Sequence, residues 1–189
     1  SFCANRDIFV MIDETYVEFA PSVQEVTAVP YTKEFSNLMV LRGVSKFYAA
    51  PGMRFGYGIT GNKEFLSQMK EKQIPWSLNS LGAYAGEQMF KDTSYIRQTR
   101  ALILTERDRI FLELKKMSSF KVYFPYGNFI LVKILKPEVT SFDVFEACIK
   151  EGLMIRDCSS FQCLDGEFVR FCIMKPEDND RLLKVLKTI

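Results

Sequence analysis

Hydrophobic positions along the chain change their period partway through. Short continuous apolar runs come first: IFVMI (8–12) ends on Asp13 and Glu14, LMVLRG (38–43) follows, and FGYGIT (55–60) mixes apolar residues with glycines. Continuous runs of strand length predict buried strands of the parallel-sheet kind, and the glycines mark close packing. From residue 62 the period turns helical. NKEFLSQMKEKQ (62–73) spaces Phe65, Leu66 and Met69 at helical intervals and is stopped by Pro75, and LNSLGAYAGEQMF (78–90) predicts a second helix rich in small residues. A long amphipathic helix is predicted from Thr93 to about Ser118, with Ile96, Leu102, Ile103, Ile110, Phe111 and Leu114 on or near one face and Arg and Glu on the other.

The pattern shifts again beyond it. FKVYF (120–124) and NFILVKI (128–134) predict strands joined by a turn at Pro125-Tyr126-Gly127. SFDVFEACIKEG (141–152) predicts a helix with Ser141 as its N-cap and Gly152 just past its end. LMIRDC (153–158) and EFVRFCI (167–173) predict strands, and Pro176 opens a last helix with acids in its first turn. The chain is thus expected to be α/β. Residues 1–90 would belong to a large-domain sheet, mostly parallel with helices, and residues 91–189 to a smaller α+β domain that includes the long linking helix.

Composition narrows this further. The 189 residues are 48% hydrophobic and 14% aromatic, enough for a packed core and against disorder. The net charge of +2, without a basic stripe, argues against nucleic acid as a partner. No apolar run approaches the roughly 20 residues of a membrane helix, so no membrane partner is expected either. No leader is visible, while Ser1 does not read as a native start and suggests a chain cut from a longer one. The five cysteines have no CxxC spacing and predict reduced thiols in a cytoplasmic protein. Cys158 and Cys163 could share a metal, but there is no second pair and no histidine, so no metal site is expected. The lack of histidine also removes Ser-His-Asp and Cys-His chemistry within the chain.

The candidates for chemistry lie at strand ends. Asp13 closes a strand in VMIDETY, a pattern shared with the magnesium-holding strand of P-loop ATPases, although the GxxxxGK[ST] loop is absent. Read by itself, Asp13 could equally cap the following helix. Lys46 follows Ser45 after the second strand, and Arg54 lies a short way beyond. Arg170 interrupts the apolar strand EFVRFCI, either as a costly buried charge or as a ligand clamp. Arg156 in LMIRDC could pair with Asp157 at the surface, and Asn128 in GNFILV could cap a turn.

In combination, DETYVEF, SKFYAAPGMRFGY, PWSLNSLGAYAG and MIRDCSSFQCLDGEFVR resemble the fold-type I pyridoxal-phosphate (PLP) enzymes. Within these they are similar to the class I/II aminotransferases of the histidinol-phosphate aminotransferase and threonine-phosphate decarboxylase group. The resemblance covers nearly the whole chain and implies the C-terminal part of the PLP-binding major domain plus the small domain. It implies pyridoxal 5'-phosphate as cofactor. Lys46 would form the Schiff base and shuttle the substrate's α-proton. Asp13 would pair with the pyridine nitrogen, Tyr16 would bond the ring oxygen, and Ser45 and Arg54 would bind the phosphate. Arg170 would hold a substrate carboxylate, Arg156 would lie near a substrate phosphate, and Asn128 would sit near the carboxylate.

The partner implied is a small amino acid or amino-acid phosphate, transaminated or decarboxylated by a homodimeric parent enzyme. Two departures stand out. Gly43 occupies a place where many relatives carry Ser or Thr. The family's N-terminal half, with its phosphate-cradling loop, is not in this sequence, so the isolated chain is expected to bind PLP weakly or not at all and to be inactive. Two other classes remain open at this point: an aminotransferase-like ligand-sensing module without catalysis, and an ATPase fragment built on Asp13.

Overall fold

The computed structural model describes residues 2–189. They divide into two compact units, one running to Ile96 and the other from Arg97 to Ile189.

The first unit is built on a three-stranded sheet: β1 (Val10–Asp13), β2 (Leu38–Gly43) and β3 (Gly56–Ile59), in that order. β1 and β2 run parallel, with Val10 opposite Leu38 and Asp13 opposite Leu41. The chain between them turns through Val17–Phe19, a short helix α1 (Val23–Val26) and Val29–Lys33. β3 returns antiparallel to β2, because the connection holds only the single 3₁₀ turn Pro51–Met53 and no crossover helix. Burial also differs from the expectation of strands covered on both faces. Leu38, Met39 and Val40 of β2 are buried, whereas β1 and β3 alternate half-buried and exposed positions. β1 and β3 are the sheet's two edges, and β2 alone is flanked on both sides.

Gly43 and Gly56 face one another across β2 and β3. A β-carbon at 43 would sit 3.3 Å from the Phe55 carbonyl oxygen, and one at 56 would sit 3.0 Å from that of Arg42. The pair therefore lets two backbones approach where any side chain would push them apart. This gives a local reason for glycine at position 43.

Two helices follow. In α2 (Lys63–Lys72), the Asn62 side chain accepts a bond from Phe65 N at 2.9 Å, and in α3 (Ser80–Lys91), Asn79 accepts one from Gly82 N at 2.6 Å. Both are N-caps satisfying donors the first helical turn leaves unpaired. The segment between them carries Trp76, which has φ +67 and is 96% exposed. Ile74, Leu81 and Tyr84 nearby are exposed as well.

The second unit contains most of α4 (Thr93–Lys115) and a four-stranded antiparallel sheet. Its strands are β4 (Phe120–Val122), β5 (Phe129–Ile134), β6 (Arg156–Asp157) and β7 (Phe168–Cys172), in the order β4-β5-β7-β6. β6 is shorter than the predicted strand at 153–158. Helix α5 (Ser141–Lys150) packs on β6, β7 and α6 (Pro176–Lys187). Ile130, Val132 and Ile134 of β5, Val169 and Phe171 of β7, and Val144, Cys148, Leu182 and Leu186 of the helices are buried. Each large apolar side chain removed from water in this way contributes roughly 1.5–3 kcal/mol.

Two expectations for the helices change. The N-cap of α5 is Thr140, not Ser141. Thr140 Oγ1 accepts from Asp143 N at 3.1 Å while Thr140 N donates to Asp143 Oδ2 at 2.8 Å, a reciprocal capping box. In α4 the buried stripe is Ile103, Glu106, Arg107, Ile110 and Leu114, so two charged residues lie on the face expected to be apolar. Glu106 is held by Asn179 Nδ2 at 2.7 Å and by Arg109 at 2.7 Å, and Arg109 also reaches Asp180 at 2.7 Å. The fully buried Asn179 completes its bonds with the backbone N and O of Met174. The Arg109 bond, supported by Asn179 against the opposing effect of burial, holds the Glu106 carboxyl below its ordinary pKa. Arg107 donates to Tyr126 O at 3.1 Å. No described helix is long and apolar enough to cross a membrane.

Candidate functional site

In the first unit the site is built where β1 and β2 end side by side. β1 finishes at Asp13, whose side chain is exposed and accepts one bond, from Thr15 N at 2.9 Å. The next residue, Glu14, turns the other way, as alternation along a strand requires, and is buried. Its carboxylate accepts from Arg42 at 2.8 and 3.1 Å, from Thr27 Oγ1 at 2.8 Å and from Ala28 N at 2.6 Å. Burial works to lower the Arg42 guanidinium, and the bonds and charge of Glu14 outweigh it, so its pKa stands above the ordinary value. The two adjacent acids thus divide: Glu14 is saturated inside a clasp that fixes the strand end, and Asp13 is left open to solvent. The clasp was not expected from the sequence, although the Asp13-Glu14 doublet was its visible trace.

The β2 end is shaped by glycine and by aromatic packing. The ladder to β3 closes with Val44 N bonding Phe55 O at 3.3 Å, so Ser45 and Arg54 are the next residues as the two chains part. Lys46 is exposed in the turn that follows, its Nζ 5.7 Å from the centre of the Tyr16 ring. Phe47, fully buried, packs against Phe19 and Tyr95, and the Tyr95 hydroxyl donates to Phe47 O at 2.8 Å. The residue after Lys46 is therefore pinned from side chain and backbone at once. Beside it, burial and then the neighbouring Glu18 charge push the Tyr48 hydroxyl up to about 12. Ala49 and Arg54 both adopt left-handed backbone conformations, at φ +49 and +51, which costs a non-glycine residue roughly 1–2 kcal/mol. Strain of this kind persists where the surroundings over-determine the backbone.

Arg54 gives one N–H to Pro51 O at 2.9 Å. Among the described residues, neither Lys46 nor Arg54 has a carboxylate within ion-pair distance. The structure thus brings Tyr16 to Lys46, places Asp13 at the neighbouring strand end, and leaves Ser45 and Arg54 just past the end of the β2–β3 ladder. Among the described residues, this amine, carboxylate and guanidinium are without salt-bridge partners.

The second unit carries the other candidates. Arg170 on β7 lies directly opposite Arg156 on β6 and opposite Leu131 on β5. It is half-exposed rather than deeply buried, its guanidinium 4.9 Å from the centre of the Phe129 ring. Arg156 is exposed, donates to Ser160 Oγ at 3.1 Å and lies 5.5 Å from the Phe161 ring. No ion pair with Asp157 forms. That carboxylate instead accepts from Ser141 Oγ at 2.8 Å, Ser159 N at 2.8 Å and Ser159 Oγ at 2.9 Å. Asn128 stands just before β5, and its backbone oxygen accepts from Ile173 N at 2.7 Å. Phe129, Ser160 and Phe161, which contact the two arginines, were not singled out from the sequence, since each pairing depends on register or on a loop's path.

A family model described as aminotransferase class I and II matches residues 1–186. The chain is 29% identical over 187 residues to a threonine-phosphate decarboxylase of Salmonella typhimurium, covering 99% of this chain and 50% of that one. Among solved structures, the histidinol-phosphate aminotransferase from Clostridium acetobutylicum superposes with a TM-score of 0.91 at 35% identity, over 99% of this chain and 55% of that one. A histidinol-phosphate aminotransferase from Sinorhizobium meliloti, solved with pyridoxal-5'-phosphate, shares the fold at a TM-score of 0.79 and 20% identity, over 96% of this chain and 48% of that one. The chain spans about half the length of the curated relatives it matches. Nothing in these likenesses supports the ATPase or ligand-sensing readings. The family match over nearly the whole length shows that this chain belongs to the aminotransferase class I and II family.

Proposed function

We propose that the chain supplies the lysine-bearing part of a PLP-dependent enzyme of the cytoplasm. This enzyme acts as a homodimer on an amino acid or amino-acid phosphate, by transamination or by decarboxylation. The observation that carries the reading is Lys46: exposed, without a carboxylate partner, and set against Tyr16. The donor set fits the cofactor. An aldehyde, a pyridine nitrogen and a phosphate call for an amine, a carboxylate and a guanidinium, and the strand ends offer Lys46, Asp13 and Arg54. When bound, pyridoxal phosphate supplies an aldehyde that captures amines and a ring that draws electrons from the substrate's α-carbon.

The chain's own groups have separable tasks. Lys46 supplies the amine and moves the proton at the substrate α-carbon. Asp13 holds a proton on the pyridine nitrogen. The Tyr16 hydroxyl bonds the ring oxygen, and Ser45 with Arg54 holds the phosphate, a dianion suited to a guanidinium fork. Arg170 takes the substrate carboxylate, Arg156 a distal phosphate, and Asn128 lies near the carboxylate.

The test is chemical trapping. The purified chain is incubated with millimolar PLP, reduced with borohydride and mapped by peptide mass. Lys46 is expected to carry the pyridoxyl tag in preference to the other lysines, and Asp13→Asn to lessen it. A tag spread evenly over surface lysines, or fixed on other lysines and not on Lys46, sinks the reading.

A further inference from the structure

Two arginines directly opposite one another on neighbouring strands are a destabilising arrangement unless something negative lies near. Arg156 and Arg170 share the sheet face away from α5, each beside an aromatic ring. Among the described residues neither has a carboxylate within ion-pair distance.

Two acids do lie beside them in sequence, Asp157 and Glu167, and both are engaged elsewhere. Asp157 is opposite Val169, on the face where α5 packs, and there it accepts from Ser141 Oγ, Ser159 N and Ser159 Oγ. Glu167 Oε2 accepts from Ser141 N at 2.6 Å. Ser141 is the first residue of α5, so both acids sit at a helix N-terminus, where the backbone favours negative charge. Asp157 also ties the start of the loop that supplies the Arg156 partners Ser160 and Phe161.

We propose that Asp157 is a positioning residue for anion binding by Arg156. By bonding Ser141 and Ser159 on the helix side, it fixes β6 and the following loop so that the Arg156 guanidinium stays open beside Arg170. This rests on the Arg156 assignment made under the proposed function. It opposes the simplest electrostatic expectation, in which deleting a nearby carboxylate strengthens anion binding.

The experiment uses the whole chain and inorganic phosphate, followed through the arginine Nε–Hε NMR signals, with Arg156 identified by Arg156→Lys. Measurements are made where every variant is folded. Phosphate is expected to shift the Arg156 signal in the parent chain. Asp157→Ala and Ser141→Ala are expected to weaken its affinity about fivefold, the loss of roughly one net hydrogen bond. Asp157→Asn, which keeps an acceptor oxygen while losing the charge, restores affinity to within about twofold. If Arg156→Gln binds phosphate as well as the parent does, the anion site itself is wrong and the positioning role falls with it. If Arg156→Gln loses binding while Asp157→Ala and Ser141→Ala keep it or strengthen it, the site stands and the positioning role alone is overturned. Ser141→Ala keeps the test decisive should Asp157→Ala fail to fold.

Discussion

The two units differ in how much apolar surface they bury, and each closes some charges and leaves others open. In the second, buried side chains from α4, β5, β7, α5 and α6 make the core, and even the charged residues on its inner stripe are bonded, Glu106 to Asn179 and Arg109. In the first, the buried set is small and centred on β2 and Phe47, while Met11, Ile74, Trp76, Leu81 and Tyr84 face solvent. Its open cations, Lys46 and Arg54, stand a few residues from the closed Arg42–Glu14 pair. The difference separates two uses of a charge. Where both carboxylate oxygens are bonded, as at Glu14 and Glu106, the group fixes the fold. Where it is left open on a strained, aromatic-backed turn, as at Lys46, it is available for chemistry.

Three substitutions test that division, in falling order of effect. Ile110→Ala, in a fully buried position of the second unit, is expected to cost about 3 kcal/mol of stability, seen in urea unfolding and in faster exchange of the β5 and β7 amides. A cost under about 1 kcal/mol would mean that this core is loosely packed. Arg42→Ala is expected to cost somewhat less, about 2–3 kcal/mol, because the buried Glu14 keeps Thr27 and Ala28 N but loses its counter-ion. The exchange should rise in β1 and β2, and unchanged protection there would remove the clasp from the account. Lys46→Ala is expected to shift stability by no more than about 0.5 kcal/mol while abolishing the borohydride-fixed tag at that position. A large destabilisation would place Lys46 among the fold's structural charges.

Much of this was legible in the local pattern. LMVLRG marked β2, Pro176 marked the start of α6, and Gly152, at φ +73, ends α5 as its position suggested. What escaped depends on partners far along the chain. Ser141 and Thr140 are equally good caps on paper. The choice fell to Thr140 because Asp143 reciprocates, while Ser141 is drawn to Asp157 and Glu167 on the sheet beneath α5. Glu106 and Arg107 read as a solvated face, and bonds to Arg109 and Asn179 for the one and to Tyr126 for the other help make the buried position tolerable. The site residues were named through their resemblance to a family. The clasp behind Asp13 and the rings beside Arg156 and Arg170 have no local signature, since each joins segments that meet only in the folded chain.

Trp76 carries a practical consequence. It is the chain's single tryptophan, and at 96% exposure its indole is already in water when the protein is folded. Emission excited at the red edge of the protein band therefore reports one surface spot and is nearly blind to the melting of either core. That blindness makes it a clean optical handle: a shift to shorter wavelength signals that something has covered the α2–α3 segment.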